Sequence, residues 1–209
     1  MSIKLNAQSG GSVALDAPTQ TTSSADNLYK LPVADGSAGQ VLKTDGSGNL
    51  SWVTPGITQA DEWRLTSDLD TANANTISSN WARNSTNFSV VGSGMSESSG
   101  IFTFPETGIY KIEFNTKATT SNQQVRYVVA EIITSSNNFT SEGSAGFGSQ
   151  SISNDATVDV TVNVSCLFDV TNTSTHKCKF TVYSEHSITW NGDSTRNRTY
   201  ATFIRLGDT

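Results

Sequence analysis

From residue 100 onward, apolar and polar positions alternate with a period of two, the pattern of a strand with one buried face. Ile101–Asn115 (IFTFPETGIYKIEFN) sets Phe102 and Phe104, then Tyr110, Ile112 and Phe114, on one face around a Pro-Glu-Thr-Gly turn. Pro105 suits the second position of such a turn and Gly108 a left-handed one. Val125–Thr134 carries a short two-sided apolar run, and Thr157–Val170 alternates at Val158, Val160, Val162 and Val164. Phe180, Val182 and Ile188 follow, and Tyr200–Leu206 (YATFIRL) closes the chain. Ser135–Asn154, rich in Ser, Gly and Asn, interrupts the pattern and predicts a long loop. Short strands separated by turn residues predict an all-β sandwich or jelly roll.

The first sixty residues read differently. Leu31, Val33, Val41, Leu42, Leu50, Trp52 and Val53 lie around a repeat of about ten residues, Ala34-Asp35-Gly36-Ser37 and Thr44-Asp45-Gly46-Ser47. Asp-Gly is a strong turn signal, so short strands with tight turns are predicted. Residues 1–62 hold 2 of the 18 aromatic residues, Tyr29 and Trp52, and lack the bulk for a core of their own. Several copies wound about one axis would pair these strands and bury the apolar positions; a flexible linker is the alternative. The division expected is 1–30 an anchoring segment, 31–62 a β-rich stalk, and 63–209 a globular knob.

Composition supports the all-β reading. Ser, Thr and Asn number 30, 28 and 17, and Val, Ile and Thr total 54 against 10 Leu. β-branched side chains pack well on a pleated sheet, whereas Ser and Asn favour turns over helices. Leu, Ile, Val and Phe reach 45 residues, too many for a disordered chain with a net charge of −6. That charge excludes a nucleic-acid binder, which needs a basic stripe to displace counterions. Two His and two Cys exclude a Cys/His metal module or a disulfide scaffold. No apolar run reaches membrane-spanning length, and MSIKLNAQSGG lacks a signal-peptide core, so neither membrane insertion nor secretion is expected.

Two stretches carry family resemblances. Gly100-Ile101-Phe102-Thr103-Phe104-Pro105-Glu106-Thr107-Gly108-Ile109-Tyr110-Lys111-Ile112 resembles the Gly-x-Phe-x-x-Pro-x-x-Gly-x-Tyr-x-Phe signature of C1q/TNF-like jelly rolls, departing only where Ile112 replaces an aromatic residue. Ala201–Gly207 is similar to that family's interior closing strand. The resemblance covers about residues 63–209. It implies a ten-strand sandwich that assembles as a tight homotrimer, with the N-termini gathered at one end where a stalk joins. Gly11–Pro18 and Leu31–Trp52 (LPVADGSAGQVLKTDGSGNLSW) resemble a segment common in bacteriophage fibre and appendage proteins, placed just before a C-terminal knob.

Candidate chemistry is sparse. No Gly-x-Ser-x-Gly, P-loop or His-Glu-x-x-His motif occurs, and no catalytic residue, cofactor or metal ligand is assigned. No oxygen-ligand loop of defined spacing marks a calcium site. Asp61, Glu62, Asp68 and Asp70 could act as glycosidase carboxylates, but they read more simply as solvated turn charges. His176 and His186 read as surface or loop residues, with Glu185 and His186 on opposite faces of a strand. Cys166 and Cys178 flank a turn and would face each other in a simple hairpin; they read as reduced thiols, with a cross-strand disulfide as the alternative. Asn-x-Ser/Thr triplets, such as those at Asn84, Asn87, Asn138, Asn163, Asn172 and Asn197, are what a chain this rich in those residues yields by chance.

For binding, Trp63, Trp81, Trp190 and the tyrosines are candidate sugar-stacking platforms, although such residues more often serve a core or an interface. Trp190, Asn191 and Asp193, read as an exposed turn, are the leading candidates. Phe102, Tyr110, Phe114 and Phe203 are expected in core or trimer packing. The combined expectation is a non-enzymatic homotrimeric virion protein, made in the bacterial cytoplasm. It would contact other virion proteins through its N-terminal segment and present the knob to a host surface glycan. A capsid-decorating head fibre and a soluble C1q-like carbohydrate-binding module are the alternatives.

Overall fold

The computed structural model describes residues 3–6, 12–15, 28–85, 88–153 and 157–209. The chain divides into two compact units, residues 1–56 and 57–209. The predicted triplet at Asn87 and the Pro18 end of the first phage-like segment lie outside the described residues.

The smaller unit holds two antiparallel pairs. β1 (Ile3–Asn6) pairs with β2 (Ser12–Leu15), and β3 (Val41–Thr44) with β4 (Leu50–Val53). The β3–β4 turn is fastened by Asp45, whose carboxylate accepts from the backbone N–H of Ser47 (2.8 Å) and of Asn49 (3.0 Å) and from Asn49 Nδ2 (2.6 Å). Gly46 and Gly48 supply positive φ there. The two Asp-Gly pairs therefore differ. Asp45-Gly46 makes the predicted turn. At Gly36 the demand is space, because an added Cβ would lie 2.6 Å from Trp52 Cδ2. The Trp52 indole N–H also donates to Ala34 O (3.0 Å), which holds the ring over this backbone. Leu31 and Val33 belong to no strand.

The larger unit is all strand, turn and bend. Its elements are β5 (Ala60–Leu65), β6 (Leu69–Thr71), β7 (Asn75–Thr76), β8 (Trp81–Arg83), β9 (Ser96–Ser98), β10 (Ile101–Thr103), β11 (Gly108–Thr120), β12 (Tyr127–Ser135), β13 (Gly143–Ser151), β14 (Val158–Val170), β15 (Lys177–Ser184), β16 (Ile188–Trp190) and β17 (Tyr200–Gly207). One sheet runs β13-β12-β15-β10-β9, with β7 also on β15. The other runs β6-β16-β11-β17-β5-β8, with β14 along the full length of β11. Residues 60–62 pair with β17 and so belong to this unit.

Alternation builds the core. Every second residue of β11 from Gly108 to Thr120 is buried, including Tyr110, Ile112 and Phe114. β15 buries Cys178, Phe180 and Val182, and β14 buries Val160, Val162 and Val164. The centre is aromatic. Phe102 packs edge-on to Trp63 (5.5 Å), Trp81 (5.4 Å) and Phe180 (5.3 Å), and tilted on Phe203 (5.3 Å). Such pairs add to the stabilisation from area burial alone. Phe102, Tyr110, Phe114 and Phe203 all lie in this core. Gly108 has φ +144°, and a Cβ there would come 2.5 Å from both Arg205 Nε and Gly207 O, so the position admits only glycine.

Two expectations are corrected. Ser135–Asn154 is not a long loop: its second half is edge strand β13, paired to β12. Its glycines resemble loop residues for a steric reason. A Cβ on Gly148 would meet Val164 Cγ1 at 2.5 Å, and one on Gly146 would meet Ile132 Cδ1 at 3.2 Å. The hairpin proposed for the cysteines is also absent. Cys166 on β14 pairs with Ile112, while Cys178 on β15 pairs with Phe102 and Thr134 in the opposite sheet. Both are free thiols.

Candidate functional site

The leading sequence candidate is displaced by the structure. Trp190 ends β16 with no exposed surface, set between Ala118 and Leu69 of its neighbouring strands. Its indole N–H is buried without an acceptor among the described residues. Asn191 is also buried: its N–H donates to Lys117 O (2.8 Å), and its Oδ1 accepts from Thr119 Oγ1 (2.8 Å). Asn191-Gly192-Asp193 carries a turn signal, but Asn191 is still buried and the bend falls at residues 194–196. Asp193 caps that turn, accepting from the Thr195 N–H and hydroxyl (2.8 Å each), the Arg196 N–H (3.1 Å) and Arg198 Nε (3.3 Å). The bonds from Thr195, more than any other contact, hold its pKa down to about 2.

The carboxylates considered for chemistry serve the fold. Asp61 is buried and accepts from Arg83 Nε (2.9 Å), Trp63 Nε1 (2.9 Å) and Met95 N (2.7 Å), tying β5 to β8 and to the segment before β9. Glu62 Oε1 accepts from the side-chain amides of Asn84 and Asn197 (2.5 Å each). Asp68 accepts from Gly192 N (2.9 Å) and Asp70 from Thr189 Oγ1 (2.6 Å). His176 is buried against Phe168, with its ring nitrogens near the hydroxyls of Thr171 and Thr175. It lies in the loop before β15, as the loop reading expects, but is buried and not at the surface. Burial raises both thiols, Cys166 to about 11 and Cys178 well above the ordinary range. Neither is a nucleophile near neutral pH.

Two features remain open to a partner. In the smaller unit the apolar side chains point into solvent: Leu28 is 74% exposed, Leu31 72%, Val33 fully, and Tyr29, Val41, Leu42 and Trp52 substantially. Leu50 and Val53 are half-buried; exposed apolar groups gathered in one patch mark interaction sites in folded proteins. In the larger unit an open polar depression of about 710 Å³ is lined by Gln123, Gln124, Arg126, Ile152, Ser153, Glu185 and His186. Glu185 and His186 both line it because the chain bends after Ser184, so they do not alternate across a strand as expected. Composition does not reveal this depression. Its residues are distant in sequence, and their meeting depends on the β12–β15 pairing. A smaller depression of about 480 Å³ includes Asp70, Thr119, Asn122 and Thr189.

No family model matches the chain, and no curated protein matches it in sequence. Solved structures do. The Eiger TNF structure from S. frugiperda superposes with a TM-score of 0.58 at 8% identity, covering 74% of this chain and 96% of that one. Murine APRIL, solved at pH 5.0, gives a TM-score of 0.50 at 11% identity, covering 71% and 98%. At such identities the likeness speaks for architecture: this chain has a C1q/TNF-like jelly-roll fold.

Proposed function

We propose that this chain is a structural protein of a bacteriophage particle, a trimeric tail fibre or similar appendage. Its N-terminal segment anchors it to other virion proteins, and its C-terminal jelly roll is a knob that attaches to the host surface. The observation that carries this reading is the uncovered apolar surface of residues 28–56. Hydrophobic area of this kind is favourable only when removed from water. Three copies about one axis would bury it and pair the short strands that one chain leaves open. The phage assignment rests on the LPVADGSAGQVLKTDGSGNLSW segment ahead of the knob. The mode of action is binding, with threefold repetition turning weak contacts into avidity.

Sedimentation of the full chain at micromolar concentration tests the assembly. A mass three times 22.3 kDa is expected, and a stable monomer would sink the reading. Adsorption tests the attachment: purified protein should bind host cells and compete with phage. A trimer located on particles by imaging that does neither would instead be a capsid-decorating head fibre.

A further inference from the structure

The polar depression of the larger unit has a frame held from both sides. Ile152 N–H donates to Arg126 O (2.8 Å), and Arg126 N–H donates to Glu185 Oε2 (3.0 Å). The preceding turn is fixed by Val125 N to Asn122 O (3.1 Å), Gln124 N to Asn122 Oδ1 (2.9 Å) and Asn122 N to Thr120 Oγ1 (3.0 Å). The backbone is thus ordered, while the functional groups it carries are spare. Among the described residues, the side-chain amides of Gln123 and Gln124, the Arg126 guanidinium and the His186 ring form no hydrogen bond or ion pair within the fold. Outside that lining, Tyr127, the residue after Arg126 and exposed at the start of β12, stacks on Tyr183 of β15 at 5.6 Å with ring planes 27° from parallel. The Arg126–Ile152 bond continues the β12–β13 ladder past Tyr127 and Ser151, and the spare side chains take no part in it.

The chemistry of the lining narrows the ligand class. Ile152 is its one apolar residue, too little for an apolar ligand, whose sites are mostly hydrophobic. Arg126 and Glu185 offset each other, and the chain carries −6 overall, so a polyanion is not attracted. A single convergent carboxylate is too few for a divalent cation, and no metal-ligating cluster occurs among the described residues. What remains is a set of planar groups, two amides, a guanidinium and a carboxylate, each offering paired donors or acceptors. Paired polar groups match adjacent hydroxyls, and an aromatic face matches the C–H face of a pyranose ring.

We propose that this depression is a saccharide-binding site. It takes a short uncharged oligosaccharide, with Gln123, Gln124, Arg126, Glu185 and His186 holding hydroxyls and the Tyr127–Tyr183 pair as the stacking shelf. The assignment rests on the attachment reading and supplies its contact surface.

The test is an array of bacterial surface oligosaccharides probed with the full chain, its Arg126→Ala and Tyr127→Ala variants, and Gln124→Ala, whose amide holds nothing in the fold. Binding to at least one uncharged saccharide is expected, falling about tenfold or more in each variant with melting unchanged. If Tyr127→Ala melts early, Arg126→Ala and Gln124→Ala decide. Binding that survives these substitutions, or no saccharide bound at all, overturns the site. Adsorption to intact host cells separates that failure from failure of the attachment reading. Cells that bind the protein equally before and after periodate oxidation of their glycans refute the saccharide and leave attachment standing. Cells that do not bind it refute attachment itself.

Discussion

The two units contain the same kind of antiparallel strand pair with opposite outcomes. β11 and β14 pair over thirteen residues, and their inward positions are covered by the facing sheet. β3 and β4 pair over four residues, and all of β3 is exposed. Antiparallel pairing produces strands in both places. It produces a core only where a second layer lies opposite, because burial, not pairing, supplies most of the stability. The smaller unit instead relies on local fastenings: the Asp45 turn, the Trp52 ring over Gly36, and the segment at Lys30, whose N–H donates to Gly48 O and whose carbonyl accepts from Leu50 N (2.9 Å each).

The largest effect should follow from removing the ring at the centre of the covered unit. Phe102→Ala strips contacts to four aromatic rings and leaves a cavity, costing roughly 3–5 kcal/mol. Chemical denaturation followed by circular dichroism should show the loss. A change below about 1 kcal/mol would mean the sheets do not meet there. Next comes Asp61→Ala, which leaves Arg83, the Trp63 indole N–H and the buried Met95 N–H without their acceptor. Arg83 is partly exposed and can reach water, so the expected cost is about 3 kcal/mol, the lower end for breaking a buried ion pair. The same denaturation curve reads it.

These two positions show what the sequence made legible and what it did not. Phe102 was readable because a period-two apolar pattern around a Pro–Gly turn is a local signal. Asp61 read as a solvated charge because its partners, Arg83 and Met95, lie 22 and 34 residues away, and only tertiary pairing brings them to it. Glycine misled in the same way. In β13 and at Gly36 it marks the close approach of another side chain, not a turn, and that neighbour is invisible in the chain order. The polar depression was hidden for the same reason, being assembled from three separate segments.

Gly36→Ala sharpens the comparison at smaller amplitude. The added methyl group must push the Trp52 ring aside, and since that ring is 37% exposed it has room to move; the cost should be about 1 kcal/mol. The effect should be confined to the smaller unit. Trypsin cleavage at Lys30 and Lys43 should accelerate while the melting of the jelly roll stays unchanged, distant sites being additive. A parallel drop in jelly-roll stability would show that the two units fold as one.

The smallest effect is read by the thiols, which report on the covered unit alone because both lie within residues 57–209. Burial raises Cys166 from 9.0 to about 11 in the folded chain. The folded state thus favours the protonated thiol, and its contribution to stability is complete below pH 9 and lost as pH rises through 11. Tyr110, raised to about 12 by desolvation and then by Glu106, extends the same loss above pH 10. Melting temperature should therefore decline from pH 9 upward, and less steeply in a Cys166→Ser variant. At pH 8 the native Cys166 thiolate is about a hundredfold scarcer than that of an unfolded cysteine, so alkylation should lag by a similar factor and accelerate toward pH 11. Native alkylation at the unfolded rate would mean that β14 opens readily. The sandwich edge would then be no better covered than the hairpin of the smaller unit, and the contrast between the two would lie in length, not in burial.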